Sequence, residues 1–466
     1  MQPFRTFRGV WWLPDHEDAN VPGELSFTRD GGVRLALDGD LHAPGASVRF
    51  SSSPLPLVHG CGIDGTLATL TGLSAMSSTM RVFAEGPGIE TTVYRVETAF
   101  LGDHLAATTT FAYARAEFTH LDMWLGGLHL MPVHHFGPTG NLDRYSVDCQ
   151  WPDPIDIALP EGTVRVQGAY DVDQVGNEQV TLRTGGYVEW HLADPTDCVA
   201  TVHHIISFQV LLALLTDYPV VAEHIIVKQH ADTGTECRVY FQAVYETPER
   251  DPFDPQTTFI SLSQLSLPLD EVLRRWRDVQ KTLETPANIL TSLRYSSPGV
   301  TDLQFIAMVQ ACEAYHAAVF SNEVLAKKEF DAKRKAIKER LDKEQWEWIA
   351  SRLGNEPSLK MRLAELMADV GDVISPVCLD GIDTCTARVR DLRNGMTHPP
   401  ADREAGSNGI QYIYYARLMA FTLKTQFIKA LGLLDDRTIH RLKNSTASSE
   451  LAYIASQAKS SQADRG

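Results

Sequence analysis

The sequence predicts a two-domain protein: a mostly-β N-terminal part, sandwich or barrel-like, followed by an all-α helical bundle. Three observations lead there. The chain has 466 residues, where one domain usually takes roughly 100–200. Its apolar residues alternate with a period of two in the first half and recur at helical spacing from about residue 268. Its charge is also divided: residues 1–295 hold 19 Lys and Arg against 37 Asp and Glu, residues 296–444 hold 21 against 20, and residues 445–466 hold two of each. With 44% hydrophobic and 22% charged residues, wholesale disorder, collagen-like repeats and coiled-coil fibres are excluded.

The strand signals come first. Val33, Leu35 and Leu37 alternate between glycines, and 66–70, 91–96 and 163–166 repeat the pattern with Thr, Val and Tyr between turn residues. A helix is expected over 206–215, closed by Pro219. A hairpin is expected over 223–245, with Asp232-Thr-Gly234 as its turn. The apolar run 205–215 is shorter than the roughly 20 residues that cross a bilayer, so no membrane association is expected.

The helical signals follow. Leu269, Val272, Leu273, Trp276 and Val279 give 269–284 as a linking helix, and the 295–299 segment (Tyr-Ser-Ser-Pro-Gly) reads as the domain boundary. Thr301-Asp302 reads as the N-cap of a helix through Val324. A charge-dense helical stretch covers 327–350, shorter helices 358–369 and 382–397, and a long helix 409–432 that Gly432 stops. The Ser-, Ala- and Gln-rich segment 445–466 reads as a flexible tail. The expected organisation is a β-rich domain at 1–267, a linking helix and linker at 268–299, a helical domain at 300–444, and the tail.

Several motifs are weak. Gly60-Cys-Gly62-Ile-Asp-Gly65 fits G-x-G-x-x-G, but a strand-like run follows it, so it reads as a β-turn and not a dinucleotide cradle. Neighbouring histidines (His134/His135, His203/His204) point to opposite faces of a strand, and no H-E-x-x-H or H-x-H accompanies them or His129. No metal or other cofactor is therefore expected. Seven scattered cysteines without C-x-x-C, and no apolar stretch after the basic residues of the N-terminus, suggest a reducing, cytoplasmic setting without a signal peptide. The basic run around Lys333, Arg334 and Lys338 reads either as a solvated face laced with i,i+4 pairs or as a phosphate-tracking surface, with Arg390 as a further cation.

The segment Arg388-Val-Arg390-Asp-Leu-Arg393-Asn-Gly-Met-Thr-His398-Pro-Pro400 is more pointed. Pro399 disfavours helical geometry at His398, so the helix should fray there and let the imidazole turn back towards Arg393. A permanent cation beside a group titrating near neutrality suits phosphodiester cleavage without metal.

Leu392-Arg393-Asn394-Gly395-Met396-Thr397-His398 resembles the R-N-x-x-T-H form of the R-x-x-x-x-H signature in ApeA-type HEPN ribonucleases. Glu313-Ala-Tyr-His316 is similar to the E-x-x-H of the first helix in that group. Trp11-Trp12-Leu-Pro14, Gly23-Glu-Leu25 and Ile63-Asp-Gly65-Thr-Leu67 are similar to its N-terminal β domain. Gly395 departs from the family, which often has an aromatic residue there. The resemblance implies a metal-independent endoribonuclease of bacterial abortive-infection defence, assembled as a homodimer or dimer of dimers through the HEPN domain. His398 would be general acid or base, Arg393 the phosphorane stabiliser and Asn394 an orienting group, with Glu313 and His316 auxiliary. The β domain would be a sensor, answering for instance to a phage-encoded trigger, and tRNA is the first candidate among RNA substrates. The alternative is a non-catalytic HEPN module that dimerises or binds a partner.

Overall fold

The computed structural model describes residues 5–28, 32–41, 54–81, 89–126, 129–150, 153–176, 179–241, 259–295, 301–397 and 409–463. The chain divides into two compact units: residues 1–255 with 261–263, and residues 256–260 with 264–466.

The first unit opens with a six-stranded antiparallel barrel: β1 (Arg5–Trp12), β2 (Val21–Phe27), β3 (Val33–Leu37), β4 (Leu55–Gly62), β5 (Leu67–Arg81) and β6 (Ile89–Val96). Neighbours run β5-β4-β1-β2-β3-β6, and β6 returns to β5. Closure is possible because β5 is long. Its first half pairs with β4, its second half with β6, and the register shifts between Ala75 and Ser77, which bends the strand. Inward alternation fills the barrel with Trp11, Leu25, Phe27, Leu35, Leu37, Val58 and Leu70. Gly60 stands opposite Trp11 in the ladder, and a Cβ there would collide with the indole. The Gly-x-Gly-x-x-Gly run is the β4–β5 turn: the Gly62 amide donates to the Thr66 carbonyl at 2.8 Å, and Gly65 takes φ +82°.

The sheet continues outward from β5 through β7 (Thr98–Leu101), β8 (Phe111–Phe118), the short helix α1 (Leu121–Trp124), the separate hairpin of β9 (His129–Phe136) and β10 (Leu142–Gln150), then β11 (Ile155–Leu159), β12 (Gly162–Val175) and β13 (Gln179–Thr196). Helix α2 (Cys198–Thr216) and the strands β14 (Ala222–Lys228) and β15 (Cys237–Phe241) complete it, in the order β7-β15-β14-β8-β13-β12-β11. By length and apolar content α2 is one helix that could cross a bilayer, contrary to the estimate from the apolar run alone, because helix continues on both sides of that run. Its apolar residues from Ile205 to Leu215 are buried, except the half-buried Ile206. Phe208 packs 5.2 Å from Phe118 and 6.2 Å from Trp190, so α2 acts as the core helix of the sheet.

The second unit contains α3 (Leu269–Tyr295), α4 (Thr301–Val319), α5 (Lys327–Lys338), α6 (Lys343–Ala350), α7 (Leu359–Ala368), α8 (Gly371–Ile374), α9 (Ile382–Thr397), α10 (Gly409–Ala430), α11 (Asp436–Lys443) and α12 (Thr446–Ala463). Its centre is α10, whose aromatic and aliphatic residues are buried almost continuously from Tyr412 to Ile428. Around it pack α3, through Trp276 against Phe427 at 6.4 Å, and α4, through Tyr315 against Phe427 at 5.3 Å.

Four expectations are corrected here. Helix α3 does not link the units but belongs to the bundle, because Val272, Trp276, Leu283 and Leu290 are buried in it; the division falls at 255–264, not 295–299. The helix also runs past 284 with a kink at Leu283, where Pro286 removes a donor and crowds the preceding turn. Helix α4 begins at Thr301 and ends at Val319, short of Val324; Asn322 folds back to donate to the Ala317 carbonyl at 2.8 Å. The segment expected to be a loose tail forms α12, which buries Leu451, Ala455 and Ala458 on the bundle. The burial of Leu451 alone contributes about 1.5–3 kcal/mol.

Candidate functional site

Helix α9 carries the Arg-Asn pair. It begins after two residues with positive φ, Asp380 (57°) and Gly381 (84°), and buries Cys385, Thr386 and Val389 at helical spacing. The approach to it is pinned by Tyr414 of α10. The phenol accepts from the Leu379 amide at 2.9 Å and donates to the Val377 carbonyl at 2.8 Å. Burial pushes its pKa up, so it stays a neutral double partner. The Cys385 thiol donates to the Leu379 carbonyl at 2.9 Å.

One further step along the buried stripe, four residues past Val389, reaches Arg393, which is half-buried; Asn394, a third of a turn round, is exposed. His398, with Pro399 and Pro400, lies outside the described residues. Arg390 pairs with the adjacent Asp391 at 2.7 Å on the surface. Such pairs contribute about 0–1 kcal/mol, so an incoming phosphate can replace the carboxylate.

His316 is fully buried on α4, and it reaches α7. Its Nδ1 lies 3.3 Å from Arg362 Nη1 and its Nε2 lies 2.9 Å from Glu365 Oε2. A guanidinium only donates, so Nδ1 accepts and Nε2–H donates to the carboxylate. The ring stacks on Phe320 at 4.9 Å. Arg362 is held in turn by Asn322 Oδ1 at 2.7 Å and the Pro357 carbonyl at 3.1 Å. With both nitrogens engaged and no exposed edge, His316 fastens α4 to α7. Glu313, one turn earlier, is half-buried and has no hydrogen-bond partner among the described residues.

Helix α7 packs against both α4 and α9, so it joins the helices that carry the two motifs. The His316 nitrogens are taken by α7 and not by Arg393. Arg362 and Glu365 were not singled out in the sequence. Their signal is an i,i+3 charged pair on a helix that otherwise buries Leu363, Leu366 and Met367.

The basic residues lie on α5, where every side chain except the half-buried Phe330 is exposed. Lys333 pairs with Glu329 at 3.0 Å, while Arg334 and Lys338 lie over the Trp346 ring of α6 at 5.7 and 5.8 Å. Both readings of this run keep support: Lys333 and Lys335 take i,i+4 partners, Glu329 and Glu339, and two cations are held on an aromatic face. Among the described residues no three His, Cys, Asp or Glu side chains are grouped to hold a metal ion. His134 meets Tyr145 edge to face at 5.0 Å, and His135 meets Ser146 Oγ at 3.0 Å.

The sequence matches two family models. One, described as ApeA N-terminal domain 1, covers residues 6–276; the other, described as Apea-like HEPN, covers residues 306–437. No curated protein and no solved structure matches the chain.

Proposed function

The chain belongs to the ApeA family, with an ApeA N-terminal domain followed by an Apea-like HEPN domain, and from that premise we propose that it is a metal-independent endoribonuclease of bacterial anti-phage defence. The observation that carries the reading is the half-buried Arg393 on α9, five residues before His398 in the sequence and inside the segment matched as HEPN.

The guanidinium fork of Arg393 suits two equatorial oxygens of a scissile phosphate. His398 takes the proton of the ribose 2′-OH as that oxygen attacks phosphorus. The bond from phosphorus to the 5′ oxygen then breaks, and the leaving oxygen is protonated. The products are a 2′,3′-cyclic phosphate and a 5′-OH.

In-line transfer needs an acid and a base on opposite sides, and one chain supplies one such motif. A two-fold axis past 393–398 would bring a second His398 across the cleft. The proposed assembly is therefore a homodimer, or a dimer of dimers, through the helical unit, with RNA, tRNA foremost, as substrate.

The test incubates wild type, Arg393→Ala and His398→Ala with total RNA in EDTA and sequences the new 5′ ends. Expected are 5′-OH ends from wild type alone. Loss of cleavage in EDTA with rescue by Mg²⁺, or 5′-phosphate ends, overturns the mechanism. No cleavage under any condition favours the partner-binding reading. A mixed dimer of wild type and His398→Ala should be strongly impaired; one that keeps half the rate places the whole site in one chain.

A further inference from the structure

Between Val324 and Leu353 the chain leaves the bundle: neither α5 nor α6 has a buried residue. Helix α6 is begun by a capping box, with the Asp342 carboxylate accepting from the Gln345 amide at 2.8 Å, so its start is fixed even without a core. The two helices hold each other instead through Trp346, under Arg334 and Lys338. That leaves Trp348, about half a turn further round, 63% exposed.

The indole of Trp348 is not idle. The Arg352 guanidinium lies 4.5 Å from its centroid. That guanidinium is fixed by the Trp348 carbonyl, which accepts from Nη1 at 2.8 Å. An indole 63% exposed, with a permanent cation locked over one of its faces, therefore stands ready in water, its rotamer entropy already lost. Charge says what it faces: residues 327–352 hold nine Lys and Arg against six Asp and Glu, in a chain of net charge −17. The local excess is +3, on a surface that screening over about 8–10 Å isolates from distant acidic groups.

We propose that the α5–α6 hairpin is a binding platform for single-stranded RNA, on which Trp348 stacks one unpaired base while Arg352 and the α5 cations take the flanking phosphates. The platform rests on the nuclease reading for its biological meaning, but not for its physics. Any base has a π-face, so the platform holds strands without choosing sequence. A duplex, whose bases are already stacked, has nothing to offer Trp348.

The experiment uses the full chain carrying Arg393→Ala, which keeps RNA intact, and a labelled oligouridylate of about ten nucleotides, read by anisotropy and by tryptophan quenching. Expected are quenching on binding, about a tenfold or greater loss of affinity in Trp348→Ala, near-parental affinity in Trp348→Phe, and no effect of Trp348→Ala on binding a duplex of equal charge. Because Trp348 is exposed, the variant should keep the parental circular dichroism.

Unchanged oligouridylate affinity in Trp348→Ala overturns the proposal, as does an equal loss for the duplex. A higher oligomer that dissolves in Trp348→Ala while oligouridylate binding persists assigns the face to a second copy, and also overturns it. The two readings fail separately: Trp348-dependent binding by a wild type that never cleaves removes the nuclease and keeps the platform, while cleavage with Trp348-independent binding does the reverse.

Discussion

Replacing His316 distinguishes a fastener from a proton carrier. His316→Ala removes a buried ring stacked on Phe320 and two hydrogen bonds, to Arg362 and Glu365. Deleting a buried aromatic side chain costs about 3–5 kcal/mol, and an imidazole, smaller than a phenyl ring, sits at the low end. Each lost hydrogen bond adds about 0.5–1.5 kcal/mol. The partners soften this, since Arg362 keeps Asn322 and the Pro357 carbonyl, and Glu365 is 52% exposed and turns to water. The net cost is about 4 kcal/mol, which lowers the melting temperature of a unit of about 200 residues by roughly 8–16 °C. His316→Gln keeps an acceptor for Arg362 and a donor for Glu365 and loses only the stacking, so it should recover about half of the shift. Calorimetry reads both variants, and RNA cleavage is measured on the same samples below their transitions. A transition unmoved in His316→Ala refutes the fastening. A stable His316→Gln protein that has lost cleavage, at a temperature where it is folded, makes His316 part of the chemistry.

Neutralising Lys333, Arg334 and Lys338 to Gln should flatten the log–log salt dependence of RNA binding by about 0.7–0.9 for each phosphate that the variant no longer engages; an unchanged slope leaves α5 a solvated face. Gly432 ends α10 with φ +73°, and a Cβ there meets the Arg275 guanidinium, which donates to the Leu431 carbonyl at 3.3 Å. Gly432→Ala should cost at least about 1–2 kcal/mol in urea unfolding, and a midpoint unchanged from wild type refutes this. Asp435 caps α11 by accepting from the Thr438 amide at 2.8 Å, and that bond holds its carboxyl below the ordinary 3.8. A depressed carboxylate stabilises the fold above its unfolded pKa and ceases to do so as pH falls through the folded value. Asp435→Ala should therefore cost about 1 kcal/mol near neutral pH and progressively less below 3.8; a cost independent of pH contradicts the cap.

The fold was legible where one period dominated. Val33, Leu35 and Leu37 alternate and form a barrel strand, and 382–397 carries a helical stripe and is a helix over those residues. It was illegible where structure depends on distant partners. Nothing local in β5 says that its two halves pair with different strands, because closure of the barrel is decided by the register of β4 and β6. The composition of α12 is that of a loose tail, and only the surface of the bundle gives Leu451 somewhere to go. The candidate site divides in the same way. Arg393 and Asn394 lie on the helix that the stripe over 382–397 predicts, while the fraying expected at the proline pair falls outside the described residues. The spacing of Glu313 and His316 identified two polar residues on one helix but not their different employment. That is decided by α7, whose Arg362 can only donate and so leaves the imidazole a single arrangement. A motif therefore specifies residue types, and the charges that face each residue across the core decide whether it is held for packing or left for chemistry.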